Sequence, residues 1–236
     1  MWNTFLESFR FCFIEGNRYK LVLEGLQMTI IASLCAVVLG VAIGLVMALL
    51  KLFGEKRNWK SSKGVLAWLA HGVSYVYIDI IRGTPSVVQL LIMYFLVFQG
   101  KLGFLCAVCT FGINSGAYVA EIIRAGILAV DNGQMEAGRS LGLSYGLTMR
   151  YIIIPQAIKN ILPALGNEFI VLIKETAILG YVSIMDLTKA SDFIISRTYQ
   201  MFMPLITCAV IYYLLIKLLT IGLNAFERRL RQSDIR

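Results

Sequence analysis

Long uncharged segments dominate the hydropathy pattern and predict membrane-spanning helices. Three of them, 25–50, 102–120 and 198–216, contain no Asp, Glu, Lys or Arg. A helix needs about 20 mostly apolar residues to cross the hydrocarbon core of a bilayer. These segments are therefore predicted to be the first, third and fifth of five transmembrane helices in an all-α membrane protein.

The second predicted span has two parts. An amphipathic part covers about 64–81, and an uncharged part continues to Gly100. Pro85 lies between them, and proline both lacks an N–H group and disfavours helical geometry in the residue before it. The helix is therefore predicted to bend or restart at Pro85.

The fourth predicted span, about 146–173, contains prolines and charges that lower its hydropathy. They are Pro155, Lys159, Pro163 and Glu168. In a membrane, an interrupted helix persists only where the freed backbone groups face protein or a water-filled cavity. This span is therefore predicted to be broken and to line a pathway, with Pro155 and Pro163 as gating or structural positions.

A polar segment joins the third and fourth spans, and it has a defined spacing of small, glycine, isoleucine and proline residues. It begins with Glu136-Ala137-Gly138, and Gly142 follows after three further residues. After nine more residues it ends with Ile152, one intervening residue and Ile154-Pro155. A loop that only turns the chain does not need a helical insert of this length. The segment is therefore interpreted as a surface on which a partner protein docks.

Residues 131–145 within this segment are predicted to form a short surface helix. Most of them are small or polar, and Asp131 and Asn132 can accept hydrogen bonds from the free N–H groups at a helix start. Gly142 lies where a helix C-terminus or a close backbone contact favours glycine.

Composition supports a membrane protein and argues against nucleic acid as a partner. Hydrophobic residues make up 58% of the 236 residues, charged residues make up 15%, and the mean hydropathy is +0.74. The net charge of +8 does not come from one basic face with interleaved aromatic residues, because several Lys and Arg residues end apolar segments.

The same basic residues set the predicted orientation. With the N-terminus outside and the C-terminus in the cytoplasm, the inner segments carry eleven Lys and Arg residues and the outer segments seven. Because inner loops are enriched in basic residues, this orientation is preferred. It places residues 131–145 in the cytoplasm.

Two pairs of ionisable residues fall within or beside predicted spans, where a charge costs about 2.5–3.5 kcal/mol on insertion scales. Asp79 with Arg82, and Glu121 with Arg124, are three positions apart. Each pair could therefore form an ion pair on one helix face.

Glu168 differs because no basic residue lies three or four positions away. A carboxylate within a span could bind the α-ammonium group or a cationic side chain of a substrate, with Asn167 adding amide hydrogen bonds. Pairing with a basic residue of another helix or of a second subunit is an equal alternative. Lys174 and Thr176, where this span leaves the membrane, fit either an outer gate or a structural interfacial contact.

No catalytic or metal-binding pattern is evident. The five cysteines are scattered, His71 is the only histidine, and no nucleophile lies beside a base in a known motif. The sequence lacks a G-x-x-x-x-G-K-[ST] phosphate-binding loop. The chain is therefore predicted to be non-catalytic and to bind neither a cofactor nor a metal.

The spacing of the polar segment resembles the EAA loop, E-A-A-x3-G-x9-I-x-L-P, of the permease subunits of bacterial ATP-binding-cassette (ABC) importers. Gly138 replaces the second alanine, and Ile154 replaces the leucine. From about residue 20 to the C-terminus the chain is similar to polar amino acid permeases. The similarity rests on five short sequence motifs: Arg82-Gly83-Thr84-Pro85, Ala117-Tyr118-Val119-Ala120-Glu121, Gly133-Gln134-Met135-Glu136-Ala137, Pro155-Gln156-Ala157 and Lys174-Glu175-Thr176.

The resemblance implies one type I importer transmembrane domain, with a membrane core at about 20–226, a coupling helix at 131–145 and a cytoplasmic tail at 227–236. The residues expected to contact the ATPase are Glu136, Ala137, Gly138, Arg139, Leu141 and Gly142. The candidate substrate-pathway residues are Glu168, Asn167, Glu121 and Arg82.

The resemblance also implies partners in and around the bacterial inner membrane. They are ABC ATPase subunits that bind ATP and Mg²⁺, a second permease subunit that is identical or paralogous, an extracytoplasmic amino-acid-binding protein and the lipid bilayer. The expected function is import of polar amino acids, driven by ATP hydrolysis in the partner. Glu168 favours basic or zwitterionic substrates over acidic ones.

Two other functions fit the sequence less well. A stand-alone secondary transporter would use Glu168 as a proton or sodium site, but it should contain inverted repeats. The polar segment has no counterpart in the first half of the chain. A membrane scaffold without transport would not need a charged fourth span.

Overall fold

A computed structural model describes residues 2–55 and 62–232, and every regular element in these ranges is helical. In chain order the α-helices are α1 (Trp2–Phe9), α2 (Tyr19–Glu55), α3 (Ser62–Gly83), α4 (Ser86–Ile92), α5 (Gly103–Leu128), α6 (Asn132–Ser140), α7 (Tyr145–Thr148), α8 (Ile154–Glu175), α9 (Leu187–Thr198) and α10 (Phe202–Gln232). The predicted all-α class is confirmed. Part of the predicted basic inner loop, with Lys56, Arg57 and Lys60, and the end of the predicted tail, 233–236, lie outside the described residues.

Three of these helices, α2, α5 and α10, are long and apolar enough to cross a membrane on their own. Each contains most or all of one of the uncharged segments. The pieces Val65–Gly83 and Ser86–Val97 pass the same test together as one broken span. α8 has 22 residues, which is long enough to cross, but it carries the predicted charges and prolines.

The predicted restart at Pro85 is confirmed. α3 ends at Gly83, and α4 begins at Ser86 with Pro85 as its N-cap residue at φ −64° and ψ 135°. The extended conformation of Pro85 fits its fixed φ, and its missing N–H removes no bond from either helix.

The predicted break inside the fourth span is wrong, because α8 runs from Ile154 to Glu175 through Pro163. Pro155 lies in the first turn of α8, directly after a π-helical segment. Pro163 removes one backbone bond, and the flanking turns keep theirs. The irregular part is instead a π-helical segment, Met149–Ile153, directly before α8.

One compact unit comprises residues 1–36, 85–111 and 170–220. Its core joins the segment after α1 to the start of α2 and to α9 and α10. The buried residues of this core are Cys12, Phe13, Val22, Leu187, Ile194, Met203 and Cys208. The unit also contains the turn before α9, where Thr29 Oγ1 accepts a hydrogen bond from the backbone N–H of Leu187 at 3.2 Å.

The other compact unit comprises residues 37–84, 112–169 and 221–236. In it, glycines bring α2 and α5 into close contact. A Cβ atom at Gly44 would lie 2.5 Å from Val119 Cγ1, and one at Gly112 would lie 2.6 Å from Leu39 Cδ2. Small residues at helix interfaces permit this approach within a membrane. The packed helices hold the ionisable residues of α3, α5 and α8 described below.

Asp186 caps the N-terminus of α9 in a fully buried position. Its carboxylate accepts hydrogen bonds from the backbone N–H groups of Lys189 at 3.0 Å and Thr188 at 3.3 Å. Burial nevertheless raises the pKa of the carboxyl from 3.8 to about 6, against the lowering effect of these bonds. The folded chain therefore binds this proton more tightly than the unfolded chain does.

We expect Asp186 to make stability fall as the pH rises. Its contribution is complete below pH 3.8 and is lost as the pH passes through about 6, a change of at most about 3 kcal/mol. The Asp186→Asn variant keeps the capping oxygen but loses the titration. Thermal unfolding of the purified protein in detergent at about pH 4.5 and 7 should show a smaller pH dependence for the variant. Equal slopes would contradict the assignment.

Candidate functional site

The polar segment between α5 and α8 folds as a capped helix with a sharp end. Asp131 Oδ1 accepts a hydrogen bond from the backbone N–H of Gly133 at 2.7 Å at the start of α6. After Ser140 the chain turns at Gly142, whose φ is +86°. The backbone N–H of Gly142 donates to Arg139 O at 3.0 Å, and that of Leu143 donates to Gly138 O at 3.1 Å. These bonds form a Schellman motif and satisfy carbonyls of the last turn.

One face of α6 packs against the segment that leads into α8. Gly138 is buried, and a Cβ atom there would lie 2.5 Å from Thr148 Cγ2 and 3.1 Å from Ile152 Cδ1. Thr148 is itself fixed, because its hydroxyl donates to Ser144 O at 3.0 Å. The spacing between Gly138 and Ile152 therefore reflects a direct contact. Thr148 was not predicted from the sequence, since nothing in the motif marks it.

The other face of α6 is exposed and carries most of the predicted docking residues. Leu141 is 82% exposed and lies at the C-terminal end of the helix. The other exposed members of the predicted set are Glu136, Ala137, Arg139 and Gly142. An apolar side chain beside charged ones, on a helix fixed at both ends, is suited to bind a groove on another protein.

We expect Gly138→Ala to displace α6 and to lower transport several-fold, since overpacking of this kind costs about 1–3 kcal/mol. Adding Thr148→Ser removes the methyl group in the way but keeps the hydroxyl, so the double variant should recover. Thr148→Ser alone is the control. Uptake into reconstituted vesicles measures the effect. Uptake by Gly138→Ala at the level of the unmodified protein would show that Thr148 moves aside freely.

Glu121 lies at the centre of an ion cluster. One carboxylate oxygen pairs with Lys51 Nζ of α2, and the other accepts bonds from Arg124 Nη2 at 3.0 Å and Nε at 3.1 Å. The predicted Glu121–Arg124 pair is confirmed. Lys51 was missed, because sequence spacing does not reveal partners on other helices. With both oxygens occupied by cations, Glu121 is held in place rather than left open to a substrate.

The predicted Asp79–Arg82 pair does not form. The guanidinium of Arg82 lies over the ring of Tyr118, 5.1 Å from its centroid. Glu121 forms ion pairs with Lys51 and Arg124, and neither of these pairs involves Asp79 or Arg82. Asp79 and Arg82 instead line a cleft of about 400 Å³ together with Lys51 and Glu121. The guanidinium of Arg82 therefore makes a cation–π contact with Tyr118 instead of an ion pair with Asp79, one turn away on the same helix.

Glu168 of α8 is buried, with 8% of its surface exposed, and accepts a hydrogen bond from Ser115 Oγ at 2.9 Å. Ser115 is fully buried on α5 and was not predicted. Gly40 of α2 lies directly behind it, since a Cβ atom there would be 2.9 Å from Ser115 Oγ. Asn167 is exposed. Because consecutive helical residues differ by about 100°, Asn167 and Glu168 face different directions.

Lys174 and Thr176 separate at the end of α8. Lys174 is exposed, whereas Thr176 is buried, donates to Ile173 O at 2.9 Å and lies 3.2 Å from Ser33 Oγ of α2. Thr176 therefore helps to join α8 to α2 within its unit.

Among the described residues, no three His, Cys, Asp or Glu side chains are grouped so that they could hold a metal ion.

Comparison with known proteins gives consistent matches over most of the chain. Residues 65–232 match the family described as binding-protein-dependent transport system inner membrane component. A putative glutamine transport system permease protein of Rickettsia bellii is 40% identical over 213 residues, covering 89% of this chain and 92% of the relative. The arginine transport system permease protein of Bacillus subtilis is 39% identical over 218 residues, covering 90% and 94%.

Solved structures agree with these relatives. A crystal structure of an amino acid ABC transporter with histidines has a TM-score of 0.82 and 47% identity, covering 92% of this chain and 98% of that one. An inward-facing methionine ABC transporter has a TM-score of 0.73 at 17% identity, covering 90% and 97%. The second likeness concerns the fold alone.

Proposed function

The chain belongs to the binding-protein-dependent transport system inner membrane component family, and we infer from its amino acid relatives that it is the permease subunit of an ABC importer for polar amino acids. It is a multi-pass protein of the inner membrane. The observation that carries the proposal is the fixed polar helix α6, which exposes Glu136, Arg139 and Leu141 to a partner. The matches give no support to a stand-alone secondary transporter.

Permeases of this family act with ATPase and binding-protein partners. We propose that the exposed face of α6 docks in a groove of the ATPase, with Glu136, Arg139 and Leu141 in contact. Ala137 allows close approach, and Gly138 and Gly142 set the position and end of the helix. ATP and Mg²⁺ would be held by that ATPase, since this sequence has no phosphate-binding loop. The permease itself would then be non-catalytic.

Nucleotide and substrate would act as two ligands of one membrane protein with two conformations. ATP binding would close the ATPase subunits, move α6 and open the path outward, and hydrolysis would reset it. In this scheme each ligand shifts the equilibrium only as far as it binds the two conformations differently. The rigid attachment of α6 at Gly138 and Thr148 supports transmission of the movement to α8.

The membrane part would work as one of two permease subunits, identical or paralogous, with the N-terminus outside and the C-terminus in the cytoplasm. Glu168, supported by Ser115, is the proposed pathway carboxylate. Arg82 lines a second polar surface of the pathway. Glu121 has a supporting role in this proposal, because its carboxylate is already bound by two cations.

Affinity purification of the tagged protein from its native host in mild detergent tests the proposal. The expected partners are an ATPase and a second permease subunit, identified by mass. Glu136→Lys and Gly142→Val, purified in parallel, should lose the ATPase while remaining in the membrane. Absence of an ATPase from the unmodified sample, under conditions that preserve a known ABC complex, would refute the importer assignment.

A further inference from the structure

The cleft next to Arg82 is lined by two opposite charges that form no ion pair with any residue that the structure describes. It measures about 400 Å³, and its polar lining comprises Lys51, Tyr75, Asp79, Arg82 and Glu121. Lys51 and Glu121 pair with each other. Within the described residues, neither Asp79 nor Arg82 takes part in an ion pair. Two unpaired charges of opposite sign therefore face the same space.

Both charges lie within a candidate membrane span, where contact with lipid tails is costly. Both side chains are exposed on α3, within the piece Val65–Gly83 of the broken candidate span. Charges within a span are costly in hydrocarbon, and they normally face a water-filled cavity, a partner or a substrate path. A polar ligand in the cleft would satisfy both groups.

The two groups are complementary in charge to the main-chain part of a free amino acid, which carries a carboxylate and an ammonium group. Asp79 and Arg82 lie about one helical turn apart on α3, form no ion pair with each other and line the same cleft. The ring of Tyr118 covers a face of the guanidinium at 5.1 Å. A guanidinium that stacks on a ring can still use its N–H groups for the bidentate contact that carboxylates favour. A cleft of this size also lies in the usual range for small-molecule sites.

We propose that this cleft binds the α-carboxylate of the transported amino acid at Arg82 and its α-ammonium group at Asp79. The inference rests on the proposed importer function. It names the part of the substrate that is recognised at one binding site along the transport pathway. The Lys51–Glu121–Arg124 cluster fixes the wall of the cleft. Because the two contacts involve groups common to all α-amino acids, the cleft recognises the substrate class and leaves the choice of side chain to other residues.

Competition binding to the purified importer complex in detergent, without the binding protein, tests the two contacts separately. The probes are labelled L-glutamine and L-arginine. The competitors are the unlabelled amino acid, its α-amide, which lacks the carboxylate, and its α-N-acetyl form, which lacks the ammonium group. The unmodified complex should prefer the free amino acid to both derivatives by about tenfold or more, the loss expected when one hydrogen bond to a charged group is removed.

The variants Arg82→Gln and Asp79→Asn should each lose one preference only. Arg82→Gln should no longer distinguish the amino acid from its α-amide but should still reject the N-acetyl form, and Asp79→Asn should do the reverse. Arg197→Gln is the matched control, because Arg197 also lies over an aromatic ring, that of Phe193, at 5.1 Å and outside the cleft. A structural role would lower all affinities together and would overturn the proposal.

Other outcomes are equally decisive. If Arg82→Gln does not assemble, Arg82→Lys replaces it, and undiminished affinity for the free amino acid in that variant refutes the bidentate contact. Dissociation of two permease subunits in both variants would show that a second copy covers the charges. Normal uptake with unchanged preferences would refute the cleft while leaving the importer function intact. Absence of uptake and binding in the unmodified complex would instead refute the importer function.

Discussion

Replacement of Gly142 by valine is expected to reduce amino acid uptake about tenfold or more while the protein still inserts into the membrane. Gly142 has φ +86°, and apart from its immediate chain neighbours no described residue lies within 4 Å of the place where a Cβ would stand. A clash within the chain is therefore not the cause. The cost is conformational, about 1–2 kcal/mol for an ordinary residue in the left-handed region and more for a β-branched one. About 1.4 kcal/mol is already a tenfold change in population.

The matched variant is Gly142→Asn, because asparagine tolerates the left-handed conformation better than other side chains do. It should keep most of the uptake and most of the bound ATPase. Uptake into vesicles, together with ATPase recovery during purification, measures both effects. If valine and asparagine fail equally, the partner surface rather than the backbone requires glycine. Normal uptake by Gly142→Val would mean that the end of α6 plays no part in coupling.

Local features of the sequence predicted a large part of this fold. Uncharged length located the helices α2, α5 and α10, since about 20 apolar residues are enough to specify a span. Pro85 marked the restart between α3 and α4, and Gly142 marked the end of α6. Each of these signals depends only on residues that are neighbours in the chain.

Contacts between distant segments were not predictable in the same way. Lys51 reaches Glu121, Thr148 lies behind Gly138, and Ser115 holds Glu168, and none of these partners is marked by its spacing. The two predicted ion pairs, each between residues three positions apart, show the limit of reasoning from local spacing. Glu121 and Arg124 do pair, but Arg82 turns to Tyr118 instead of Asp79. Spacing along a helix shows which residues a charged side chain could pair with. The residues of neighbouring helices determine which of these contacts forms.

Glu168→Gln should have the second large effect, a reduction in binding of about 10-fold to 100-fold for a cationic amino acid. The estimate follows from the loss of one hydrogen bond to a charged group, about 1.5–3 kcal/mol. Ser115→Ala should act in the same direction but less strongly, because the carboxylate remains. Glu24→Gln is the matched control, since Glu24 is an exposed carboxylate on α2.

Substrate charge separates a contact role of Glu168 from a structural one. If Glu168 meets the cationic side chain of the substrate, its removal should weaken binding of L-arginine far more than that of L-glutamate, so the ratio of the two affinities falls. A structural role, such as pairing with a basic residue of another helix or subunit, would weaken both equally or prevent assembly. The ratio is therefore the quantity to measure, in purified complex without the binding protein. An unchanged ratio in an assembled Glu168→Gln complex would exclude Glu168 from recognition of the substrate's side chain, and unchanged affinities for both amino acids would leave Ser115 and Glu168 as a buried support between α5 and α8.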